Sequence, residues 1–149
     1  MSITIRTPTD GDFFAWLGLY EGYAGFYNVQ LTDERALLLW SWLSDVNHEE
    51  NVLVAADDGE LVGLVHFREF SRPLEADRSI AIDDLYVAED RRHTGIAQQL
   101  IDAVVERGRS KGLGVVQWIT AADNEEAQKL YDKVAERTNW LTYEIDLKK

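Results

Sequence analysis

Cysteine is missing from these 149 residues, and with it go disulfides, thiolate metal sites and a cysteine nucleophile. Basic residues are scarce: 15 Lys and Arg stand against 27 Asp and Glu, a formal charge of −12. Phosphate backbones demand a basic face, so this balance argues against nucleic acid or an anionic membrane as the main partner. Proline occurs only at Pro8 and Pro73, outside every long periodic segment. No apolar run approaches the ~20 residues of a membrane span. The opening MSITIRTPTDGDF turns polar too soon for a secretory signal, so the cytoplasm is the expected compartment. His48, His66 and His93 are scattered without metal-ligand spacing, and no metal site is expected. The Walker lysine pattern and the GxGxxG fingerprint are both absent, which disfavours nucleotide hydrolysis and hydride transfer.

What is present reads as one domain over residues 1–149 with regular punctuation. ITIRT (3–7) alternates like a strand. Thr9 or Asp10 can cap a helix running to about Gly25, and Thr32 a second from Asp33 to about Val46. NVLVAADDGELVGLVHFREF is a hairpin turning at Asp57-Asp58-Gly59. SIAIDDLYV (79–87) is a strand, and Ile96/Ala97, Leu100/Ile101 and Val104/Val105 mark an amphipathic helix from Gly95 to about Ser110. VVQWIT (115–120), a helix over 125–137 and the alternating WLTYEIDL complete the pattern. The expected fold is mixed α/β, with strand–helix–strand crossovers in its second half.

The turn AEDRRHTG between strand 79–87 and its helix joins Arg91, Arg92 and Gly95 to a helix N-terminus. Unpaired first-turn N–H groups and the positive end of the helix dipole suit a phosphate or pyrophosphate. Gly95 and the small Ala97 let a ligand approach the backbone closely. The alternative is that Arg91 and Arg92 merely balance Glu89 and Asp90.

Arg92-His93-Thr94-Gly95-Ile96-Ala97 resembles the R/Q-x-x-G-x-G/A motif of the GNAT superfamily of N-acetyltransferases. Asn124-Glu125-Glu126-Ala127-Gln128-Lys129-Leu130-Tyr131 resembles that family's N-x-x-A-x-x-L-Y segment, and Asp84-Leu85-Tyr86-Val87 its fourth strand. The likeness spans about residues 80–133 and looks most like the branch containing yeast histone- and polyamine-acetylating enzymes. It departs at Ala97, where a second glycine is commoner, and at His93-Thr94, where Gly-Lys is usual. The resemblance implies a mostly antiparallel central sheet flanked by helices, with acetyl-CoA as cosubstrate. It places Arg91, Arg92, Thr94, Gly95, Ile96 and Ala97 at the coenzyme diphosphate. Leu85 and Val87 would offer backbone groups to the pantetheine arm, and Asn124 and Tyr131 would complete the cofactor site.

The implied reaction moves an acetyl group from a thioester to a neutral amine. Freeing the lone pair of a lysine-like amine at pH 7 costs ~4.6 kcal/mol, which calls for a base. Alternation lets only one of Asp83 and Asp84 face the thioester, and the resemblance favours Asp83, where polyamine-acetylating relatives place an acid, with Asp84 the alternative. Tyr131 resembles the tyrosine that protonates the leaving thiolate, a transfer uphill by only ~2 kcal/mol. The bland readings are a solvent-facing aspartate and a core tyrosine.

Residues 75–90 hold six acids against Arg78 alone, and the loop after the first helix brings Tyr23, Phe26 and Tyr27. Carboxylates beside aromatic faces suit a cation. The expected acceptor is a small cationic amine: a polyamine, diamine or lysine-like compound. The competing readings are an acyl-CoA sensor without turnover and an acetyltransferase of protein lysines or N-termini. Relatives often dimerise, and WLTYEIDL is a segment able to pair across subunits.

Overall fold

The structure, a computed structural model, describes residues 2–149. The chain forms two compact units that divide between Ile119 and Thr120.

The first unit is built on a five-stranded sheet in the order β1-β2-β3-β4-β5. Its strands are β1 (Ile3–Arg6), β2 (Glu50–Asp57), β3 (Glu60–Arg72), β4 (Asp77–Val87) and β5 (Val116–Gln117). The first four pair antiparallel, and β5 joins β4 in parallel through the crossover helix α3 (Ile96–Ser110). This is the expected mixed, mostly antiparallel architecture. The β2–β3 hairpin turns at Asp58 and Gly59, both left-handed with φ of 50° and 91°. Asp-Gly is the pair that a two-residue turn of this hand selects.

Between β1 and β2 run α1 (Phe13–Phe26) and α2 (Asp33–Leu43). A 3-10 turn at Asp10–Asp12 precedes α1, with Thr9 and Asp12 forming a reciprocal capping box. Thr32 caps α2 by accepting from the Arg35 amide. Both helices lie on one sheet face. There Trp16 and Ala36 pack with Val52, Val54, Ala56, Leu61 and Leu64, joined by Phe13, Leu17 and Trp40. On the other face α3 buries Ile96, Leu100, Ile101 and Val104. Gly63 of β3 admits it closely: a Cβ there meets Leu100, Ile96 and the Tyr86 carbonyl at 3.2–3.3 Å.

Two irregularities shape the site. The pairing of β3 with β4 steps from His66↔Asp84 to Phe67↔Ile82, leaving Asp83 as the extra residue of a β-bulge. And β5 pairs with β4 only at Ile80 and Ala81, so beyond those residues β4 has no strand on its second edge.

The second unit contains α4 (Glu125–Val134), capped by the Asn124 side chain accepting from the Ala127 amide at 3.3 Å. Two expectations are corrected here. VVQWIT shrinks to the two residues of β5, and WLTYEIDL forms no strand: residues 138–147 carry no regular structure. Alternation shows that a segment suits a sheet, but a strand exists only where a neighbour accepts its backbone bonds.

Candidate active site

The turn expected to hold phosphate is built largely from backbone. Gly95 sits at the N-cap of α3 with φ 87°, and no side chain caps the helix. The first-turn amides therefore have neither an intrahelical nor a capping acceptor. Nothing lies within 4 Å of where a Gly95 Cβ would stand, so the amides open outward. His93 is left-handed too, at φ 65°, and the Thr94 hydroxyl donates back to the Arg91 carbonyl at 2.5 Å. Ile96 is buried in the core and fixes the helix start. These features fit a diphosphate.

The arginines do other work. Arg91 is bonded to Asp57 at 2.5 Å and Glu60 at 3.1 Å, tying the turn to the β2–β3 hairpin. Arg92 donates from Nε to the Val87 carbonyl at 3.1 Å and lies over the Tyr86 ring, 5.4 Å from its centre. Both guanidiniums thus brace the turn. Leu85 pairs with Val65 on the β3 side, while its other edge belongs to the stretch that β5 leaves open.

Behind β4, on the α1/α2 face, lies a cavity of about 380 Å³. Its polar wall is Glu50, His66, Asp83, Asp84, Tyr20 and Arg35. The bulge corrects the expectation that only one aspartate faces the site: the surplus residue breaks the alternation, and both Asp83 and Asp84 line the cavity. A larger cavity of about 460 Å³ lies by α1 and the β2–β3 turn. It holds Glu60 and Glu89, of which Glu60 is already engaged by Arg91, and no aspartate pair.

Asp84 is the end of a buried chain of hydrogen bonds. The Trp16 indole donates to His66 Nε2 at 3.0 Å. An indole N–H can only donate, so Nε2 accepts and the ring proton sits on Nδ1. Nδ1 then donates to Asp84 Oδ2 at 2.8 Å, and the Tyr20 hydroxyl donates to the same oxygen at 2.8 Å. Tyr23 stacks on Tyr20, with ring centres 5.6 Å apart. Burial works to raise the Asp84 pKa, but the hydrogen bonds from His66 and the tyrosines outweigh it and hold it below the ordinary carboxylate value. Burial, with the charge of Asp84, drives the Tyr20 and Tyr23 hydroxyls strongly upward, so both remain donors.

Asp83 has different company. Glu50 of β2 stands opposite Arg68 of β3, and Arg68 reaches Asp83 of β4 at 3.2 Å. Glu50 and Asp83 line the same cavity, where each disfavours the charge of the other. Burial first, then Asp83 and Asp84, push the Glu50 carboxyl up to about 8. Its Oε2 is buried without a hydrogen-bond partner.

Glu50, Arg68, His66, Trp16 and Tyr20 were not singled out as site residues from the sequence. Alternation along β2 was one available signal: Glu50 continues the inward row Val52, Val54, Ala56 as its single acid. Of the aromatic loop, Tyr23 stacks on Tyr20, whereas Phe26 and Tyr27 are exposed and Val29, Gln30 and Leu31 line the cavity. In the second unit, Asn124 is the α4 cap and Tyr131 is half-buried on that helix.

Among the described residues no helix is long and apolar enough to cross a membrane. The D-amino-acid N-acetyltransferase HPA3 of Saccharomyces cerevisiae is 29% identical over 95% of this chain and 89% of its own length. The L-methionine sulfoximine/L-methionine sulfone acetyltransferase of Pseudomonas aeruginosa is 38% identical over 44% of this chain and 38% of its own. Among solved structures, a ribosomal-protein-alanine N-acetyltransferase from Brucella melitensis superposes with a TM-score of 0.81 at 26% identity, covering 98% of this chain and 99% of that one. The aminoglycoside acetyltransferase AAC(6')-Iy, in complex with a CoA bisubstrate analogue, shares the fold with a TM-score of 0.85 at 19% identity, covering 98% and 99%. A model of the acetyltransferase (GNAT) family matches residues 16–135, and the chain belongs to that family: it is an acyltransferase whose cosubstrate is acetyl-CoA.

Proposed function

We propose that the protein transfers acetyl from acetyl-CoA to a small primary amine that arrives as its ammonium ion: a polyamine, a diamine or a lysine-like compound. The observation that carries this reading is the bulge at Asp83, which turns two aspartates into one cavity beside the open edge of β4. The activities of HPA3 and the methionine sulfoximine/sulfone enzyme, both on small amino compounds, favour a small acceptor over a protein one.

When bound, acetyl-CoA supplies the activated acetyl group. The amides at Gly95, Ile96 and Ala97, with Thr94 and the braced Arg91 and Arg92, hold its diphosphate. Leu85 and Val87 offer backbone groups to the pantetheine arm, and Asn124 adds a polar contact. Asp83 removes a proton from the ammonium directly or through a water, and Asp84 orients the amine. The amine nitrogen bonds to the acetyl carbon, the carbon–sulfur bond breaks, and Tyr131 protonates the departing thiolate. The second amine proton leaves to water. The enzyme works in the cytoplasm as a homodimer. The absence of cysteine supports the first point, and the exposed Trp140, Tyr143, Ile145 and Leu147 the second.

The test is thiol release from acetyl-CoA in the presence of a panel of spermidine, cadaverine, lysine, phenethylamine and a histone-tail peptide. Release with a small amine, strongly reduced in Tyr131→Phe while acetyl-CoA still binds, is the expected result. Binding without release from any acceptor would point instead to an acyl-CoA sensor, and release with the peptide alone to a protein acetyltransferase.

A further inference from the structure

The cavity that receives the amine also carries a cation with no acid of its own. Arg35 lines it from the first turn of α2, and Glu50 of β2 and Asp83 and Asp84 of β4 line it too. Most other arginines of this unit are occupied: Arg6 by Asp12, Arg68 by Asp83, Arg72 by Asp77, Arg78 by Glu69 and Arg91 by Asp57. Among the described residues Arg35 makes no ion pair, although acids outnumber bases by 27 to 15 and the chain offers carboxylates everywhere. Much of the remaining lining is apolar, with Val29, Leu38, Leu39 and Trp42.

We infer that the acceptor is a zwitterion: an amino acid whose ammonium lies against Asp83 and Asp84, whose carboxylate is held by Arg35, and whose side chain lies on Trp42 and Leu38. The inference rests on the proposed small-amine reading and narrows it. Charge on the cavity wall supports it. Asp83 is already bonded by Arg68, and burial with its acidic neighbours pushes the Glu50 carboxyl up to about 8, toward its neutral form. The lining therefore offers the acids Asp83 and Asp84 and the base Arg35, and Arg68, outside the lining, offsets Asp83. A lining that carries both signs suits a molecule with the opposite pair of poles better than a polyamine, whose charges are all positive. Guanidinium is the side chain best shaped for a carboxylate, which it grips by two parallel hydrogen bonds.

The experiment compares acceptors that differ only by the carboxylate. D- and L-phenylalanine are assayed against phenethylamine, and lysine against cadaverine, following thiol release from acetyl-CoA with the whole chain. The expected result is a kcat/KM at least tenfold higher for one of the amino acids than for its decarboxylated partner. Arg35→Gln, at an exposed position, collapses that ratio by at least tenfold, mainly through KM of the amino acid, and Arg35→Lys restores part of it. A thermal melt of each variant checks that the fold is intact. Equal or better turnover of the amines, or a ratio that Arg35→Gln leaves unchanged, overturns the inference while the small-amine reading stands. Thiol release from none of these amines overturns both.

Discussion

The phosphate turn and the acceptor cavity are made in opposite ways. The turn is a single run of chain, residues 91–97, whose binding groups are amides presented by a left-handed glycine at a helix start. The cavity draws Tyr20 from α1, Gln30 from the loop, Arg35 from α2, Glu50 from β2, His66 from β3 and Asp83 from β4. An amide cannot be mutated away, so the turn depends on backbone conformation. The cavity depends on side chains that hold one another in place. Under the proposed function, one construction serves a constant cosubstrate, and the other allows the acceptor to change by substitution.

The sharpest break in that comparison is Asp83→Asn. Removing a positioned base should lower kcat/KM by about 10²-fold or more, with acetyl-CoA affinity unchanged by calorimetry. A comparable loss of acetyl-CoA affinity would show that the two regions are not separable. The converse change is Gly95→Val. A non-glycine residue held left-handed costs on the order of 1–2 kcal/mol, so acetyl-CoA Kd should rise about tenfold. An unaltered Kd would mean that the turn does not hold the coenzyme.

His66→Phe tests how far the cavity is self-supporting. It leaves the Trp16 indole without its acceptor and Asp84 without a donor, and should cost about 1–3 kcal/mol, read as a lower Tm. A stability equal to wild type would remove the hydrogen-bond chain from the fold's support. Glu50→Gln acts more gently and through pH. The folded carboxyl, held near 8, binds a proton that the unfolded chain releases near its ordinary 4.5. Wild-type stability should therefore be greatest at the acid side of this window and fall as pH rises from about 4.5 to 8. The variant should lack that decline in melts taken across the window, and an identical slope would refute the raised Glu50 carboxyl. Smallest is Thr32→Ala, which strips the α2 cap behind Arg35 for about 1 kcal/mol in chemical denaturation.

The same contrast explains what the sequence disclosed. Local signals were sufficient for the Thr9 and Thr32 caps, the Asp58-Gly59 turn and the helix opening at Gly95, because each is set by residues within one turn of chain. The hydrogen-bond chain was not legible, since Trp16 and His66 are fifty residues apart and only the sheet brings them together. Nor was the bulge: Ile82-Asp83-Asp84-Leu85 reads as an alternating strand unless the register of β3 is known. The brevity of β5 follows from the same irregularity. Its pairing with β4 stops at Ala81, just before the strand departs from its regular course at Asp83.

That bulge also has a meaning as phase. Along β4, residues before Asp83 and those after it keep separate alternation schedules, offset by a single position. Ser79, Ile80, Ala81 and Ile82 all stay buried, while Asp83 and Asp84 come forward together. Deleting one residue here would bring the two schedules back into step, giving a more regular sheet and returning one aspartate to the far face. A family alignment of such strands would show the site as a preserved length as well as preserved letters. Insertions and deletions between Ile80 and Val87 would be rejected even where individual side chains are free to vary.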